Sequence, residues 1–155
     1  MLADVIPPVY GGDTLAPVPS STAPGHRWHP SHPWTLLAVA LGGAVGAALR
    51  WALELALPVG GWPWATLLAN VVGSAALAVL VVHDDRHAHP RWLRPGVGTG
   101  LLGGFTTFST YAVQVAVLDA TDPLLALAYL VATPALCVVA ATVAGRLALR
   151  VGRTA

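Results

Sequence analysis

Five hydroxyl side chains fall within nine residues of an otherwise apolar region, in the stretch GGFTTFSTY from Gly103 to Tyr111. Hydroxyl groups donate hydrogen bonds to anions, and they also bond to backbone groups that an interrupted helix leaves free. Gly103 and Gly104 precede the hydroxyl residues, with only Phe105 between, and we expect these glycines to favour a break in the helix. An interrupted helix exposes carbonyl oxygens, which are hard ligands suited to a cation such as sodium. The stretch therefore predicts a polar site with donors for an anion and oxygens for a cation.

Aromatic and amide side chains could also meet an anion. Phe108 and Tyr111 are three residues apart, hence on one face of a helix, and the edge of an aromatic ring carries partial positive charge. Asn70 lies in a separate apolar stretch, and its amide can donate two hydrogen bonds. The alternative for Asn70 is a polar contact between two helices. Residue type alone leaves both interpretations open.

One pair of opposite charges lies in the first apolar region. Arg50 and Glu54 are four residues apart, so they share a helix face and can form an ion pair. A salt bridge near the lipid headgroups is one interpretation, and a positive vestibule that attracts anions is the other. The sequence favours neither.

The composition is that of a membrane protein. Of 155 residues, 55% are hydrophobic and 10% are charged, and the mean hydropathy is +0.67; soluble domains carry about a quarter charged residues. A formal net charge of +1 and the lack of any Lys give no footprint for nucleic acid. Cys137 is the only cysteine, which excludes an internal disulfide.

Four apolar blocks of 19 to 23 residues can each cross a hydrocarbon core about 30 Å thick. They are residues 35–57, 64–82, 96–118 and 124–145. The predicted fold class is an all-α membrane protein with four transmembrane helices, the third of them broken. Residues 1–34 hold seven of the thirteen prolines and are expected to form a disordered tail. Residues 35–150 form the four-helix domain, and residues 151–155 form a C-terminal tail.

Glycines in two of the blocks follow a four-residue spacing that favours close helix contact. They are Gly42 and Gly46 in the first block and Gly96, Gly100 and Gly104 in the third. Such ridges let helix backbones approach where no hydrophobic effect drives association. Close packing alone accounts for them.

The distribution of arginine predicts the orientation in the cell membrane. Seven of the eight fall with the termini and the middle loop, and only Arg50 lies toward the other face. By the positive-inside rule, both termini are predicted to be cytoplasmic. His83 and His87 in the middle loop have the spacing of a zinc site, but such a polar loop is more often simply solvated. No block contains a histidine or a nucleophile paired with a base, so an enzyme is not indicated.

The chain resembles the small fluoride channels of the Fluc or CrcB family over about residues 35–150. Four segments carry the resemblance: GGAVGAALRW (42–51), ATLLANVVGS (65–74), GTGLLGGFTTFSTY (98–111) and AYLVAT (128–133). The third is highly specific. The resemblance implies an antiparallel dimer in the membrane lipid, in which the broken third helices cross around a structural sodium ion and two fluoride paths run beside it.

The resemblance also implies roles for individual residues. The backbone carbonyls of Gly103 and Thr106 would hold sodium, and Arg50 would lie at a pore entrance. The anion path would comprise six residues, with Thr133 at a position where serine is usual: Asn70, Phe108, Ser109, Thr110, Tyr111 and Thr133.

Two residues depart from the pattern of this family. Tyr111 stands where phenylalanine is usual, so its hydroxyl either joins the polar track or narrows it. Pro134 removes a backbone hydrogen bond beside Thr133 and is expected to bend the fourth helix. The seven-to-one arginine distribution also conflicts with a dimer of two identical, opposite chains. We therefore hypothesise pairing with an oppositely oriented paralogue.

Two other function classes fit a small four-helix membrane protein. A drug or cation exporter would use Glu54 as its proton-coupled site, but Glu54 lies close to the membrane edge with Arg50 beside it, and the hydroxyl run would be unexplained. A non-transporting scaffold would use only the glycine ridges. It predicts that Phe108→Ile and Asn70→Asp change no ion flux.

Overall fold

The computed structural model describes residues 33–57, 60–84, 90 and 92–151. The helices are α1 (Pro33–Ala56), α2 (Trp64–Asp84), the π-helix π1 (Pro95–Leu102), α3 (Gly103–Phe105), α4 (Ser109–Asp119) and α5 (Pro123–Val151). The tail assigned to residues 1–34 lies outside the described residues except for its last two, which begin α1. Residues 152–155 and His87 of the middle loop also lie outside them.

Four segments are long and apolar enough to cross a membrane: Pro33–Ala56, Trp64–Asp84, Pro95–Asp119 and Pro123–Val151. The prediction of four apolar spans is therefore confirmed, and the described residues contain no strand. Their boundaries differ from the predicted ones mainly at the C-terminus of α5, which continues six residues beyond residue 145.

Apolar side chains cover most of the outside of the bundle. Phe108 is 80% exposed, Leu124 is 77% exposed and Trp34 is 70% exposed. The buried hydrophobic cluster is small and consists of Leu67, Tyr111, Leu118, Ala126 and Tyr129. An outer surface this apolar is stable in lipid and unstable in water. The chain is a multi-pass membrane protein.

The helices form two groups that differ in how they pack. In the first group, α1 packs on π1 and α3, which we call the packing half. A Cβ atom placed on Gly46 would overlap the Leu101 carbonyl oxygen, and one on Gly104 would overlap the Gly43 carbonyl oxygen. Only glycine allows these backbones to approach so closely.

In the second group, α5 packs on α2 and α4, which we call the polar half. Side chains fill the space between these helices. The Tyr129 ring lies 5.3 Å from the Trp62 ring in an edge-on arrangement and 5.4 Å from the Tyr111 ring. Aromatic side chains therefore contribute to the packing of the polar half.

The third span departs from helical geometry after its glycines. Gly103 has helical angles, φ −65° and ψ −34°, and both glycines belong to helical segments. Thr106 is extended, with φ −81° and ψ 158°, and regular helix resumes at Ser109. The expectation that Gly103 and Gly104 themselves break the helix is wrong, because both are helical and the backbone becomes extended only at Thr106.

Candidate ion pathway

Asn70 of α2 bonds to the backbone where the third span loses its helical geometry. Its Nδ2 atom donates to the Thr107 carbonyl at 2.9 Å, and the Thr107 amide donates to its Oδ1 atom at 2.8 Å. Both backbone groups of Thr107 are thus satisfied by one side chain. An amide nitrogen carries two hydrogens, so one Nδ2 hydrogen is left after this contact. The contact between helices suggested for Asn70 exists, and it leaves a donor available for an anion.

The hydroxyl run bonds to nearby backbone groups. Thr106 Oγ1 donates at 2.9 Å to the Leu102 carbonyl, which also accepts from the Thr106 amide at 3.0 Å. Thr107 Oγ1 accepts a hydrogen bond from the Thr110 amide at 3.2 Å and donates to the Thr110 hydroxyl at 3.1 Å. Thr107 therefore caps the start of α4, as Ser and Thr do at helix N-termini. Its hydroxyl thus pairs a backbone amide that has no helical partner after the interruption.

Two carbonyl oxygens lose their usual helical donors through these contacts. In a continuous helix, the Thr107 amide would donate to Gly103 and the Thr110 amide to Thr106. Both amides donate elsewhere, to Asn70 Oδ1 and Thr107 Oγ1. The carbonyls of Gly103 and Thr106 are the oxygens that the resemblance to the Fluc or CrcB family implied as cation ligands. Within the described residues, no three His, Cys, Asp or Glu side chains are grouped to hold a metal.

A cavity of about 450 Å³ is bounded by α2, α5 and the third span. Six of the residues predicted to serve the site line its wall, namely Asn70, Gly103, Thr106, Phe108, Tyr111 and Thr133. Ser109, Thr110 and Arg50 do not. None of the side chains that line the cavity is charged. No carboxylate on its wall would therefore repel an anion.

The two aromatic residues of the run differ in exposure. Phe108 is 80% exposed and Tyr111 is 7% exposed, and their rings are 5.8 Å apart and tilted by 49°. The Tyr111 hydroxyl donates to the Leu130 carbonyl of α5 at 2.7 Å. Its hydrogen is thus bound to backbone and does not extend the polar track. Both rings contact the cavity.

Buried hydroxyls lie on two helices that face this region. Thr66 is fully buried and Thr133 is 3% exposed, and the Oγ1 atom of neither makes a hydrogen bond within the described chain. A buried hydroxyl without a partner is destabilising. Both hydroxyls lie beside the Tyr129 hydroxyl, which interacts with each of them.

Sequence reasoning missed two residues near the cavity. Tyr129 is fully buried and donates from its hydroxyl to Gln114 Oε1 at 3.0 Å. Thr66 and Tyr129 lie four residues before Asn70 and Thr133, respectively, and so on the same helix faces. That spacing was a signal available in the sequence.

Arg50 and Glu54 form an ion pair with a nitrogen to oxygen distance of 3.0 Å. Their side chains are 25% and 34% exposed. The ion pair predicted between Arg50 and Glu54 is therefore present. Arg50 Nε is buried without a partner among the described residues, so the guanidinium keeps one donor beyond the pair. A role for Arg50 at a pore entrance stays a prediction.

Comparison with known proteins identifies the family. Residues 37–146 match the family model described as CrcB-like protein, Camphor Resistance (CrcB). The chain belongs to the CrcB family. This match confirms the resemblance drawn from the four sequence segments, and the matched range includes every residue of the candidate pathway.

Relatives in the CrcB family carry channel names. The chain is 50% identical over 119 residues to fluoride-specific ion channel FluC 2 of Streptomyces avermitilis, which covers 72% of this chain and 74% of that protein. It is 50% identical over 118 residues to FluC 1 of Streptomyces coelicolor, covering 73% and 76%. It is 46% identical over 83 residues to FluC of Bordetella bronchiseptica, covering 53% and 65%.

Proposed function

We propose that the chain forms a fluoride-selective channel that lets fluoride leave the cytoplasm passively. The observation that carries this proposal is the uncharged cavity with a spare amide hydrogen of Asn70, in a CrcB family member whose relatives are named fluoride-specific ion channels. Fluoride is small and strongly hydrated, so a pore must replace its water by donors and still release it. Several modest donors in series meet both demands.

The donors would act in sequence along the cavity. The Asn70 amide has a spare hydrogen and the Thr133 hydroxyl lines the same cavity, so both offer conventional hydrogen bonds. The ring edges of Phe108 and Tyr111 carry a weaker partial positive charge and would contact fluoride between the two donors. No wall residue binds fluoride strongly enough to trap it, because none is a cation.

A second chain would complete the pathway. Phe108 is exposed in the irregular part of the third span, and Gly103 and Ser109 are exposed in the helical residues on either side of it. Irregular backbone at membrane depth is tolerated only where protein or water covers it. An antiparallel dimer, with third spans crossing, would cover this surface and give two fluoride paths. In it, Ser109 and Thr110 would continue each path beyond the cavity.

We propose that a structural sodium ion joins the two chains. The carbonyls of Gly103 and Thr106 fit this role because the amides that would pair with them in a helix donate elsewhere. A bound sodium ion would place a fixed positive charge beside these carbonyl oxygens. Two carbonyls from one chain are too few for a full shell, which calls for the same residues of a second chain.

The dimer partner is proposed to be an oppositely oriented paralogue. Seven of eight arginines lie toward the termini and the middle loop. Each chain of this sequence therefore favours one orientation in the cell membrane, with both termini facing the cytoplasm. Two chains with the same orientation cannot form an antiparallel dimer. Fluoride efflux of native-like activity from vesicles that contain this chain alone would contradict this part of the proposal.

The channel is tested by recording fluoride and chloride release from proteoliposomes with ion-selective electrodes. The chain is reconstituted alone and with its paralogue, and a parallel series omits sodium. From liposomes that hold both chains, we expect fast fluoride release and little chloride release. Fluoride release should be lost when sodium is omitted. Equal release of both halides would overturn fluoride selectivity. Proton-coupled uptake of an organic cation, abolished by Glu54→Gln, would support an exporter instead.

A further inference from the structure

Helix α5 contains a proline near its middle, at a point that faces the cavity. Pro134 lies inside α5 and lines the cavity next to Thr133. Proline has no amide hydrogen, so the carbonyl four residues earlier loses its helical donor. That carbonyl belongs to Leu130. A carbonyl left without a donor in the membrane is destabilising.

The missing donor is replaced from another helix. The Tyr111 hydroxyl of α4 donates to the Leu130 carbonyl at 2.7 Å. This is a short and favourable distance for a hydroxyl donor. Tyr111 is 7% exposed, so water has little access to compete for the same bond. The one carbonyl that Pro134 leaves unpaired is therefore the one that Tyr111 reaches.

We propose that Tyr111 and Pro134 act as a pair, in which the tyrosine hydroxyl takes the place of the proline's missing amide hydrogen. Tyr111 is a positioning residue in this account, and its hydroxyl does not bind the transported ion. The hydrogen bond ties α4 to α5 and fixes the ring of Tyr111, which contacts both the cavity and the Phe108 ring at 5.8 Å. The effect on transport rests on the proposed fluoride pathway.

The pairing has an electrostatic consequence for an anion. An unpaired carbonyl presents partial negative charge, and in a low dielectric this charge acts strongly on nearby ions. The Leu130 carbonyl lies one helical turn before a cavity-lining proline. A bound hydroxyl hydrogen offsets that charge. Loss of the hydroxyl would both loosen the Tyr111 ring and add a repulsive group near the path.

A double-mutant cycle tests the pair, with Y111F and P134A made singly and together. Alanine at position 134 restores an amide hydrogen for Leu130. We expect Y111F to lower fluoride efflux about fivefold when Pro134 is present, equivalent to roughly 1 kcal/mol. With alanine at position 134, the same change should lower efflux less than about twofold. The fluoride-to-chloride ratio is expected to follow the same pattern.

Tyr129 provides the matched control. Its hydroxyl is also a donor from one of these two helices to the other, but it bonds to the Gln114 side chain and not to a carbonyl freed by proline. Y129F should therefore have the same effect whether residue 134 is proline or alanine. A rescue that extended to Y129F would show a general stabilisation by alanine and would overturn the proposal.

The same cycle is measured by thermal unfolding in detergent, which does not depend on transport. We expect the Y111F midpoint to fall with Pro134 and to recover with alanine. Equal shifts in both backgrounds would overturn the pairing. Absence of fluoride efflux from the wild type reconstituted with its paralogue, with coupling still present in unfolding, would overturn the proposed function and leave the hydrogen-bond replacement supported.

Discussion

The packing half and the polar half solve the same problem, helix association in lipid, by opposite means. In the packing half, α1 meets π1 and α3 through backbone atoms, and glycines such as Gly46 and Gly104 leave no room for a side chain. In the polar half, α2, α4 and α5 are held by aromatic rings and by hydrogen bonds from Asn70, Tyr111 and Tyr129. Backbone contact holds the packing half together, and side-chain contacts hold the polar half and line its cavity.

The difference separates stability from transport. A substitution in the packing half is expected to act mainly on the fold. The exceptions are Gly103, which lies in α3 and is predicted to contact the ions, and Arg50 of α1, which is predicted to lie at a pore entrance. A substitution in the polar half is expected to act on fluoride flux, and on stability only where it removes a hydrogen bond. Four substitutions, from the largest expected effect to the smallest, would break or sharpen this division.

Gly46→Ala is expected to have the largest effect. The new methyl group would overlap the Leu101 carbonyl and lie 2.8 Å from the Phe105 amide nitrogen, and backbone atoms cannot rotate away. We expect a loss of about 3 kcal/mol in the free energy of unfolding, the upper part of the range for overpacking. Thermal unfolding of purified protein measures it.

Gly43→Ala is the matched control, because its added methyl group would lie 4.0 Å from its nearest neighbour, the Gly100 carbonyl. This variant should be as stable as the wild type or slightly more so. Equal destabilisation by the two substitutions would mean that the contact at Gly46 has no special importance.

Asn70→Ala is expected to affect both stability and transport. It leaves the Thr107 amide and carbonyl without partners, at a cost of about 2 kcal/mol for two bonds. It also removes the proposed fluoride donor, so efflux should fall to the level of empty liposomes. Ordinary fluoride efflux in a folded Asn70→Ala protein would remove Asn70 from the pathway.

Phe108→Ile is expected to affect transport without affecting the fold. The ring is 80% exposed in the described chain and contributes little packing, so the midpoint of unfolding should hardly change. Isoleucine lacks the positive ring edge, and we expect a fall in fluoride efflux of about tenfold, or roughly 1.4 kcal/mol. Thermal unfolding and fluoride efflux are both measured on one preparation of the variant. A large loss of stability would place Phe108 among the packing residues.

Arg50→Gln is expected to have the smallest effect of the four. The ion pair with Glu54 is partly exposed, and such pairs contribute between zero and about 1 kcal/mol. If Arg50 attracts fluoride to an entrance, its loss should slow efflux severalfold at low ionic strength and less at high ionic strength. An effect that does not depend on salt would indicate a purely structural role.

The fold and much of the site follow from the sequence for physical reasons. Each span needs about 20 apolar residues, and hydropathy reveals this directly. Polar residues in lipid are few, so Asn70 and Thr133 could be singled out before their positions were known. They line one cavity, together with Phe108 and Tyr111.

Other features depend on contacts between distant residues and could not be read from local pattern. Gly103 and Gly104 looked like helix breakers, yet they are helical, because the fate of a glycine depends on what packs against it. The geometry changes at Thr106, where Asn70 and Thr107 compete for the helical hydrogen bonds. The Tyr111 hydroxyl was expected either to join the polar track or to narrow it. It donates a hydrogen bond to the backbone of α5 instead.

The central claim is that fluoride passes through the cavity of the polar half, and Cys137 allows the most direct measurement. It is the only cysteine of the chain, and it lines that cavity. Fluoride efflux from proteoliposomes is recorded before and after treatment with a small thiosulfonate reagent, and the extent of modification is measured by mass spectrometry. The account predicts that modification blocks efflux and that Cys137→Ala protects it. Unchanged efflux after full modification, or a thiol that the reagent cannot reach, would contradict it.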